Sequence, residues 1–201
     1  MATHLALAAH LRGQAAFLAD TDPQHSAKDV LSAREGDGPG CIAGTGGKLL
    51  SALFEATRQK KDLFVIDTQA GAVEDVTEAI VLADLSVLVV RPTLLDIAGM
   101  ARSFSIVRRL GKPCAVVVNQ APVAHEGVEA PLVKRALRAL DYMKAPIAPV
   151  ILRSRSIYQT ALERGRSVEE TPDKAAAKEM AELWGFIEAS LAASPQQAAS
   201  A

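Results

Sequence analysis

The segment AAFLADTDPQ, which runs from Ala15 to Gln24, decides how this chain folds. It is a short apolar run that stops at two aspartates and a proline. Such a run, bounded by turn residues, is typical of a buried strand. Pro23 ends the pairing of that strand, because proline lacks the N–H that a sheet ladder needs. Residues two apart on an extended chain point the same way, so we expect Asp20 and Asp22 to lie at one edge of a sheet.

Four further apolar runs alternate with helix-like segments along the chain. The runs are 63–66, 86–90, 114–118 and 147–152, and the helical patterns cover 2–12, 47–60, 73–83, 95–110, 129–142, 156–164 and 173–192. Apolar strands separated by helices predict a parallel sheet that is covered on both faces. The predicted fold class is therefore α/β, a three-layer α/β/α arrangement with a mostly parallel sheet. We expect one domain over residues 1–192, a loop at 34–40 and a flexible tail over residues 193–201.

Composition narrows the class of protein. The chain has 201 residues and a net charge of −1, which excludes a surface coated in positive charge but permits a local basic face. Cys41 and Cys114 fit no metal-binding or redox spacing, so we expect a reduced, intracellular protein. No stretch approaches the roughly 18 apolar residues that a membrane span needs. We therefore expect a cytoplasmic protein with no membrane partner.

A third aspartate, Asp67, follows the apolar run 63–66. Ligands of parallel α/β sheets bind at the carboxyl ends of the strands, where Asp20, Asp22 and Asp67 are predicted to converge. One aspartate at a strand end is more often a turn or helix cap than a ligand. Three of them at the ends of two predicted parallel strands indicate a site for Mg²⁺, which prefers oxygen ligands and keeps several waters.

The order of short motifs along the chain carries a family resemblance. DTDPQ at 20–24 is followed by FVIDT at 64–68, VVRPTLLD at 89–96, VVVNQ at 116–120 and a late segment over 153–168. These resemble, in order and spacing, the DxDPQ signature, the Walker B strand and the later segments of ParA/MinD-type partition ATPases. The resemblance runs from about residue 2 to residue 187 and implies a P-loop NTPase-like fold.

The resemblance implies roles for individual residues. Asp22 would orient or activate the attacking water, and Asp20 and Asp67 would hold Mg²⁺, chiefly through its waters. Asn119 would lie near the adenine, and Pro92 belongs to the same nucleotide-binding region. The implied cofactors are ATP and Mg²⁺, and the implied reaction is hydrolysis of the γ-phosphate.

Partners follow from the same resemblance. It implies non-specific DNA, a centromere-binding or adaptor protein, a homodimer and association with the nucleoid. Exposed phosphates are bound by basic side chains, and the late segment supplies Arg153, Arg155, Arg164 and Arg166. A basic cluster on the preceding helix adds Lys134, Arg135 and Arg138. A solvated helical face is the alternative interpretation of both clusters.

The phosphate-binding loop of the family is not found in this sequence. Family members place KGGxGK[ST] just before a helix that resembles residues 2–13, so we expect the first strand and P-loop to be missing. GTGGKLL at 44–50 is not a substitute, because Ile42 and Leu49 stand where Walker A needs glycine and a hydroxyl residue. The chain alone is therefore predicted to be inactive as an ATPase and poorly stable or rearranged.

Alternatives remain open at this point. The missing loop reflects either a misplaced start, which the three retained aspartates favour, or a natural remnant that lost nucleotide binding. The alternative function is a non-catalytic DNA- or protein-binding module on the same scaffold. A sister enzyme such as a cobyrinic-acid-synthase-like ligase is disfavoured by the DPQ motif and by the basic segment.

Overall fold

The computed structural model describes residues 1–43, 48–69 and 73–193. The elements of this part are α1 (Ala2–Leu11), β1 (Ala16–Asp20), α2 (Ser26–Ser32), β2 (Gly40–Ala43), α3 (Leu49–Arg58), β3 (Leu63–Asp67), α4 (Val73–Leu82), β4 (Ser86–Val90), α5 (Leu94–Leu110), β5 (Cys114–Ala121), α6 (Pro131–Tyr142), β6 (Ile147–Arg153), α7 (Ile157–Leu162), a 3-10 turn (Val168–Glu170) and α8 (Lys174–Ala192). The glycines of GTGGKLL and the tail from residue 194 lie outside the described residues.

These elements divide into two compact units. The first comprises Met1–Leu82 and Ser156–Trp184, and the second comprises Ala83–Arg155 and the chain that follows Trp184. Each unit contains one three-stranded parallel sheet, in the order β2-β1-β3 in the first and β4-β5-β6 in the second. The prediction of a single domain over residues 1–192 is not tested by this division and stays a prediction.

The sheet of the first unit is covered by helices on both faces. Its central strand β1 is buried throughout and pairs with a strand on each side. Successive residues of a strand point to opposite faces. Leu18 accordingly packs with Ala6 and Ala27 of α1 and α2, whereas Ala19 packs with Leu49 of α3 and with residues of α4. This unit is therefore a three-layer arrangement built on an almost wholly apolar strand.

The second unit builds its main core on one face of β5. Val116 and Val118, two residues apart, lie on that face and pack with Phe104 of α5 and with Val133 and Leu140 of α6. The amphipathic pattern of α6 explains the contact, because its apolar residues recur at three- and four-residue steps. Of the described helices, none combines the length and apolar character that crossing a bilayer requires.

The predicted fold class is confirmed, since the structure has parallel sheets flanked by helices. All five predicted strands are present, and three short elements were not predicted: β2, α2 and the 3-10 turn Val168–Glu170. β2 has only four residues directly after a glycine-rich loop, and its main support is the ladder to β1. α2 has seven residues, fewer than a helical pattern needs to be recognised.

An arginine of the first unit ties three distant segments together. Arg34 donates from Nη1 and Nη2 to the Glu170 carboxylate at 2.9 and 3.0 Å. It also donates to the backbone carbonyls of Gly165 at 3.0 Å and Asp37 at 2.7 Å. Burial alone would raise the pKa of Glu170, but Arg34 and the N–H of Ser167 hold it below its ordinary value. The guanidinium therefore fixes the turn after α7 against the end of α2.

A buried histidine on α1 is expected to make the protein less stable in acid. Burial is the main cause that lowers the pKa of His4 to about 4 from 6.5, and the positive N-terminus of Met1 adds to it. The backbone carbonyl of Tyr158, 3.0 Å from Nε2, acts in the opposite direction. The unfolded chain binds the proton of His4 more tightly than the folded chain does. The contribution of His4 to the free energy of unfolding is therefore constant above about pH 6.5 and falls as the pH drops towards 4. The expected loss is about 3 kcal/mol at the acid end.

Urea unfolding of the natural chain and of His4→Leu at several pH values between 4 and 7 measures this effect. The difference between the two chains removes the contribution of the carboxylates, which both share. We expect the natural chain to lose more stability on acidification than the variant. If the free energy of unfolding fell equally with pH in both chains, the assignment of the effect to His4 would be contradicted.

Candidate functional site

Asp20 is the buried anchor of the loop that follows β1. Its side chain is inaccessible to solvent. Oδ1 accepts the N–H of Asp22 at 3.1 Å, and Oδ2 accepts the N–H of Lys28 at 3.0 Å. Lys28 lies in the first turn of α2, whose leading N–H groups have no partner within the helix. Asp20 therefore joins the strand end to the helix that follows.

Asp22 lies at the tip of the same loop and is half-buried. Its Oδ1 accepts the N–H of Gln24 at 2.9 Å, and its carbonyl accepts the N–H of His25 at 2.9 Å. These bonds form the Asx-turn that the sequence Asp-Pro-Gln favours. One oxygen of Asp22 has no hydrogen bond within the described part of the chain. That oxygen is available to a ligand.

Asp67 faces Asp20 across the sheet. The two residues are register partners at the ends of the parallel strands β1 and β3. Thr21 reinforces this junction, because its N–H and its hydroxyl both donate to the Asp67 carbonyl, at 2.9 and 2.7 Å. The register thus brings Asp20 and Asp67 together, and Asp22 lies two residues further along the loop that follows β1. The sequence analysis assigned no role to Thr21. Its position between Asp20 and Asp22 is the signal that could have identified it as part of the site.

The electrostatics of this edge are anionic. Burial is the main cause that raises the pKa of Asp67, and the charges of Asp20 and Asp22 add to it. The positive N-terminus of Met1 opposes this shift. Cys41 on β2 responds to the same field: its pKa rises to about 11, first through burial and then through the charge of Asp20. The charge of Asp20 thus adds to the effect of burial at both neighbouring groups.

The donor set fits a cation that brings other ligands with it. Within residues 1–43, 48–69 and 73–193, no three His, Cys, Asp or Glu side chains are grouped to hold a metal. Both oxygens of Asp20 are already bonded to the backbone, so Asp22 and Asp67 offer the remaining carboxylate oxygens. Mg²⁺ is commonly held by one or two carboxylates together with waters and phosphate oxygens. The residues present fit Mg²⁺ in that mode and do not form a complete protein cage.

The residues predicted to lie near the nucleotide base belong to the second unit. Pro92 is buried and lies two residues after the end of β4. Asn119 lies within β5, two residues before its end, and its Oδ1 accepts the N–H of Gln120 at 2.9 Å. Gln120 has a φ of 54°, a left-handed conformation that marks an irregularity in the strand. Because the aspartates lie in the first unit, the structure groups the predicted residues into two separate sets.

The predicted DNA-binding arginines are also divided. Arg153 is held in the second unit, where Nη1 and Nη2 donate to Glu129 at 2.8 and 2.6 Å and Nη1 donates to the Pro122 carbonyl. This pairing lowers the pKa of Glu129 and neutralises the guanidinium. Arg164 and Arg166 belong to the first unit and are exposed. The role of Arg153 as an anchor for the loop after β5 was not expected from the sequence.

The parallel sheets flanked by helices are similar in fold to those of P-loop NTPases of the ParA/MinD type. Comparison with solved structures shows which known proteins share this fold. Apo McdA of Cyanothece superposes with a TM-score of 0.74 at 14% identity, covering 92% of this chain and 93% of that chain. MinD in the MinC:MinD cell division complex of Aquifex aeolicus gives 0.74 at 16% identity, covering 94% and 89%.

A third similar structure is a plasmid partition protein of Borrelia burgdorferi bound to AMPPNP. It gives a TM-score of 0.66 at 13% identity and covers 93% of this chain and 92% of that chain. No protein-family model and no curated protein matches the sequence. The resemblance to the ParA/MinD family that the motifs indicate is therefore confirmed at the level of fold.

Proposed function

We propose that this protein is a homologue of the ParA/MinD-type ATPases that position DNA or other cargo, and that it supplies the acidic part of their ATP site. The observation that carries the proposal is the register of β1 and β3, which sets Asp67 opposite Asp20 beside the Asp-Pro-Gln turn. A structure of a McdA–ATP complex has the same fold, which supports ATP as the family ligand. Asp22 would orient the attacking water, and Asp67 would hold Mg²⁺ through its waters. When bound, the metal would supply charge neutralisation at the phosphates.

The 201-residue chain by itself is proposed to be inactive in hydrolysis. Its sequence contains no Walker A motif, so it lacks the backbone N–H groups and lysine that enclose the phosphates. Asp22 and Asp67 can assist the reaction only where those groups are supplied. Centromere-binding or adaptor proteins, a homodimer and a nucleoid-associated location in the cytoplasm are part of the same proposal.

Titration of a fluorescent ATP analogue with Mg²⁺ into two purified chains tests this function. The first is the chain as it stands, for which we expect no saturable binding. The second carries a grafted strand and KGGxGK[ST] loop ahead of Met1, for which we expect saturable binding that Asp67→Asn weakens. Binding by the unmodified chain that Asp22→Ala abolishes would contradict our account of the missing loop. No binding by the grafted chain would contradict the ATP site itself.

A non-catalytic DNA-binding module is the second candidate, and the exposure of Arg164 and Arg166 favours it. Contacts of this kind with DNA phosphates would be independent of sequence and sensitive to salt. Arg155 is retained as a proposed contact from the second unit. Arg153 is bound to Glu129, so we expect it to contribute to stability rather than to DNA affinity.

Binding to a fluorescent DNA duplex at several salt concentrations distinguishes these arginines. The double variant Arg164→Ala/Arg166→Ala is expected to weaken binding and to reduce the slope of log affinity against log salt by about 2. Arg153→Ala serves as the matched control, with an unchanged slope and a lower unfolding midpoint. An unchanged slope in the double variant would exclude these two arginines as phosphate contacts.

A further inference from the structure

The sheet of the first unit ends in two edge strands, β2 and β3. β3 pairs with β1 on one side, and no strand of the described part pairs with its other side, hereafter the outer edge of β3. The carbonyl of Asp67 accepts the N–H of Thr21, so the backbone groups of Asp67 face β1. Because the backbone groups of successive strand residues point to alternate sides, those of Phe64 and Ile66 face the outer edge. They are therefore open to a further strand.

β3 has the composition of an interior strand. Every residue before Asp67 is apolar. Val65 packs with the core that β1 forms with α1 and α2, and Phe64 and Ile66 pack with the core that includes α3 on the opposite face. Each residue of β3 is nevertheless only partly buried, whereas β1, which has a neighbour on each side, is buried throughout. The open outer edge explains this difference between two apolar strands.

The outer edge of β3 lacks the features that usually protect a sheet edge. Protected edges are short, bulged, or interrupted by proline or by charged side chains. β2, at the opposite edge of the sheet, has four residues and directly follows Pro39. β3 has five residues in unbroken register with β1, and it contains no proline and no charge before Asp67. The edge of β3 is therefore better suited than the edge of β2 to accept another strand.

The carboxyl end of β3 adds a requirement for charge. Asp67 lies there, and its side chain accepts no hydrogen bond within the described part of the chain. Its register partner, Asp20, is buried beside it. A strand that runs parallel to β3 would bring its own carboxyl end to this anionic place, where a basic side chain is attracted. A second copy of β3 fits less well, because in a parallel ladder it would set two Asp67 side chains next to each other.

We propose that the outer edge of β3 binds an extended segment of a partner polypeptide as a fourth, parallel strand. The segment is apolar at every position, because helices cover both faces of the sheet, and a basic residue follows its apolar run. Its backbone pairs with the N–H and C=O groups of Phe64 and Ile66, and its side chains extend the two cores. Parallel pairing is expected because both existing ladders of this sheet are parallel. The proposal goes beyond the ATP site and does not depend on ATP binding.

Fluorescence polarisation with two labelled peptides tests strand addition on the full chain. The first peptide is a run of valines and isoleucines followed by one lysine, with serine and glycine at both ends for solubility. The second has the same side chains, but N-methyl groups replace every amide hydrogen of the apolar run. We expect saturable binding of the first peptide and at least about tenfold weaker binding of the second, which cannot donate to the backbone of β3. No binding of the first peptide, or equal affinities of the two, would overturn the proposal.

A third peptide, with its lysine before the apolar run, tests the direction of the added strand. We expect it to bind about threefold more weakly than the first peptide, because its lysine would lie at the end of β3 away from Asp67. Asp67→Asn is expected to abolish this preference while both peptides still bind. Asp37→Asn removes an exposed carboxylate of the same unit and is the matched control, with the preference retained. Equal binding of the two peptides by the natural chain would overturn the parallel arrangement.

Residue-resolved amide hydrogen exchange locates the bound peptide. The first peptide is expected to slow exchange at Phe64 and Ile66 by about tenfold or more, and to have a smaller effect at Val65, whose N–H already faces β1. Slowed exchange in β2 without an effect in β3 would place the peptide at the opposite edge and would overturn the proposal. Sedimentation of the chain alone tests the other occupant. A dimer that dissociates when the peptide is added would identify a second copy of this chain at the edge, and it would also overturn the proposal.

Discussion

Gly165→Ala is expected to lower the free energy of unfolding by about 4 kcal/mol, which is among the largest effects of a single substitution. Gly165 has a φ of 61°, where a side chain is strained. A Cβ built there would also lie 2.5 Å from the Cα and N of Arg34. Backbone atoms cannot move aside as the end of a flexible side chain can. The turn after α7 and the end of α2 would have to separate, and the Arg34–Glu170 pair would be lost with them.

Gly111→Ala is the matched control for this prediction. Gly111 ends α5 with a φ of 65°, but nothing lies within 4 Å of an added Cβ. The loss of stability in Gly111→Ala therefore reports only the left-handed conformation, which costs about 1 kcal/mol. Urea unfolding of both variants measures the difference. Equal losses would mean that the close approach of Arg34 contributes nothing.

Asp20→Ala is expected to cost about 3 kcal/mol, because it leaves the partly buried N–H groups of Asp22 and Lys28 without their acceptors. The loop after β1 would then lose its link to α2. Thermal unfolding of the purified variant measures the loss. The same substitution would remove one of the predicted metal-binding carboxylates, so a loss of activity alone could not assign a role to Asp20.

Asp67→Asn separates the two roles. The side chain of Asp67 accepts no hydrogen bond within the described part of the chain, and burial raises the pKa of its carboxyl. Removal of this charge is therefore expected to leave stability unchanged or to raise it. Groups held for function are often of this kind, since their charge costs stability that a ligand restores. A destabilisation as large as that of Asp20→Ala would show that Asp67 is structural as well.

The strands of the fold were predictable because their signal is local. β1, β3, β4, β5 and β6 are apolar runs with turn residues at their ends, and each was expected within two or three residues of its observed bounds. β2 was not expected, since GCIA is too short to be distinguished from the loop before it. Its place depends on the ladder with β1, which is a contact between residues more than twenty positions apart.

The sequence predicted that aspartates lie at the ends of β1 and β3, but it did not predict their hydrogen bonds. The parallel arrangement was enough to bring Asp20, Asp22 and Asp67 to one edge. The sequence does not indicate that both carboxylate oxygens of Asp20 accept backbone N–H groups, because those hydrogen bonds form only when the loop packs against α2. The catalytic and metal-binding roles of the three aspartates stay predictions.

The basic residues show the limit of sequence reasoning most clearly. The sequence predicts one basic cluster, made of Arg153, Arg155, Arg164 and Arg166. The tertiary structure assigns them to two units and pairs Arg153 with Glu129. Whether an arginine is free to bind a ligand depends on which acids surround it in space, and sequence spacing carries no information on that.

The sequence by itself determined the α/β class, the order of its parallel strands along the chain and the acidic residues at their ends, because strand length, apolar pattern and turn chemistry act over a few neighbouring residues. Only the tertiary structure decided which charges are neutralised, which glycine permits two segments to touch and which leucines remain exposed at the start of α5. These depend on contacts between distant segments, whose energies are set by burial and by packing.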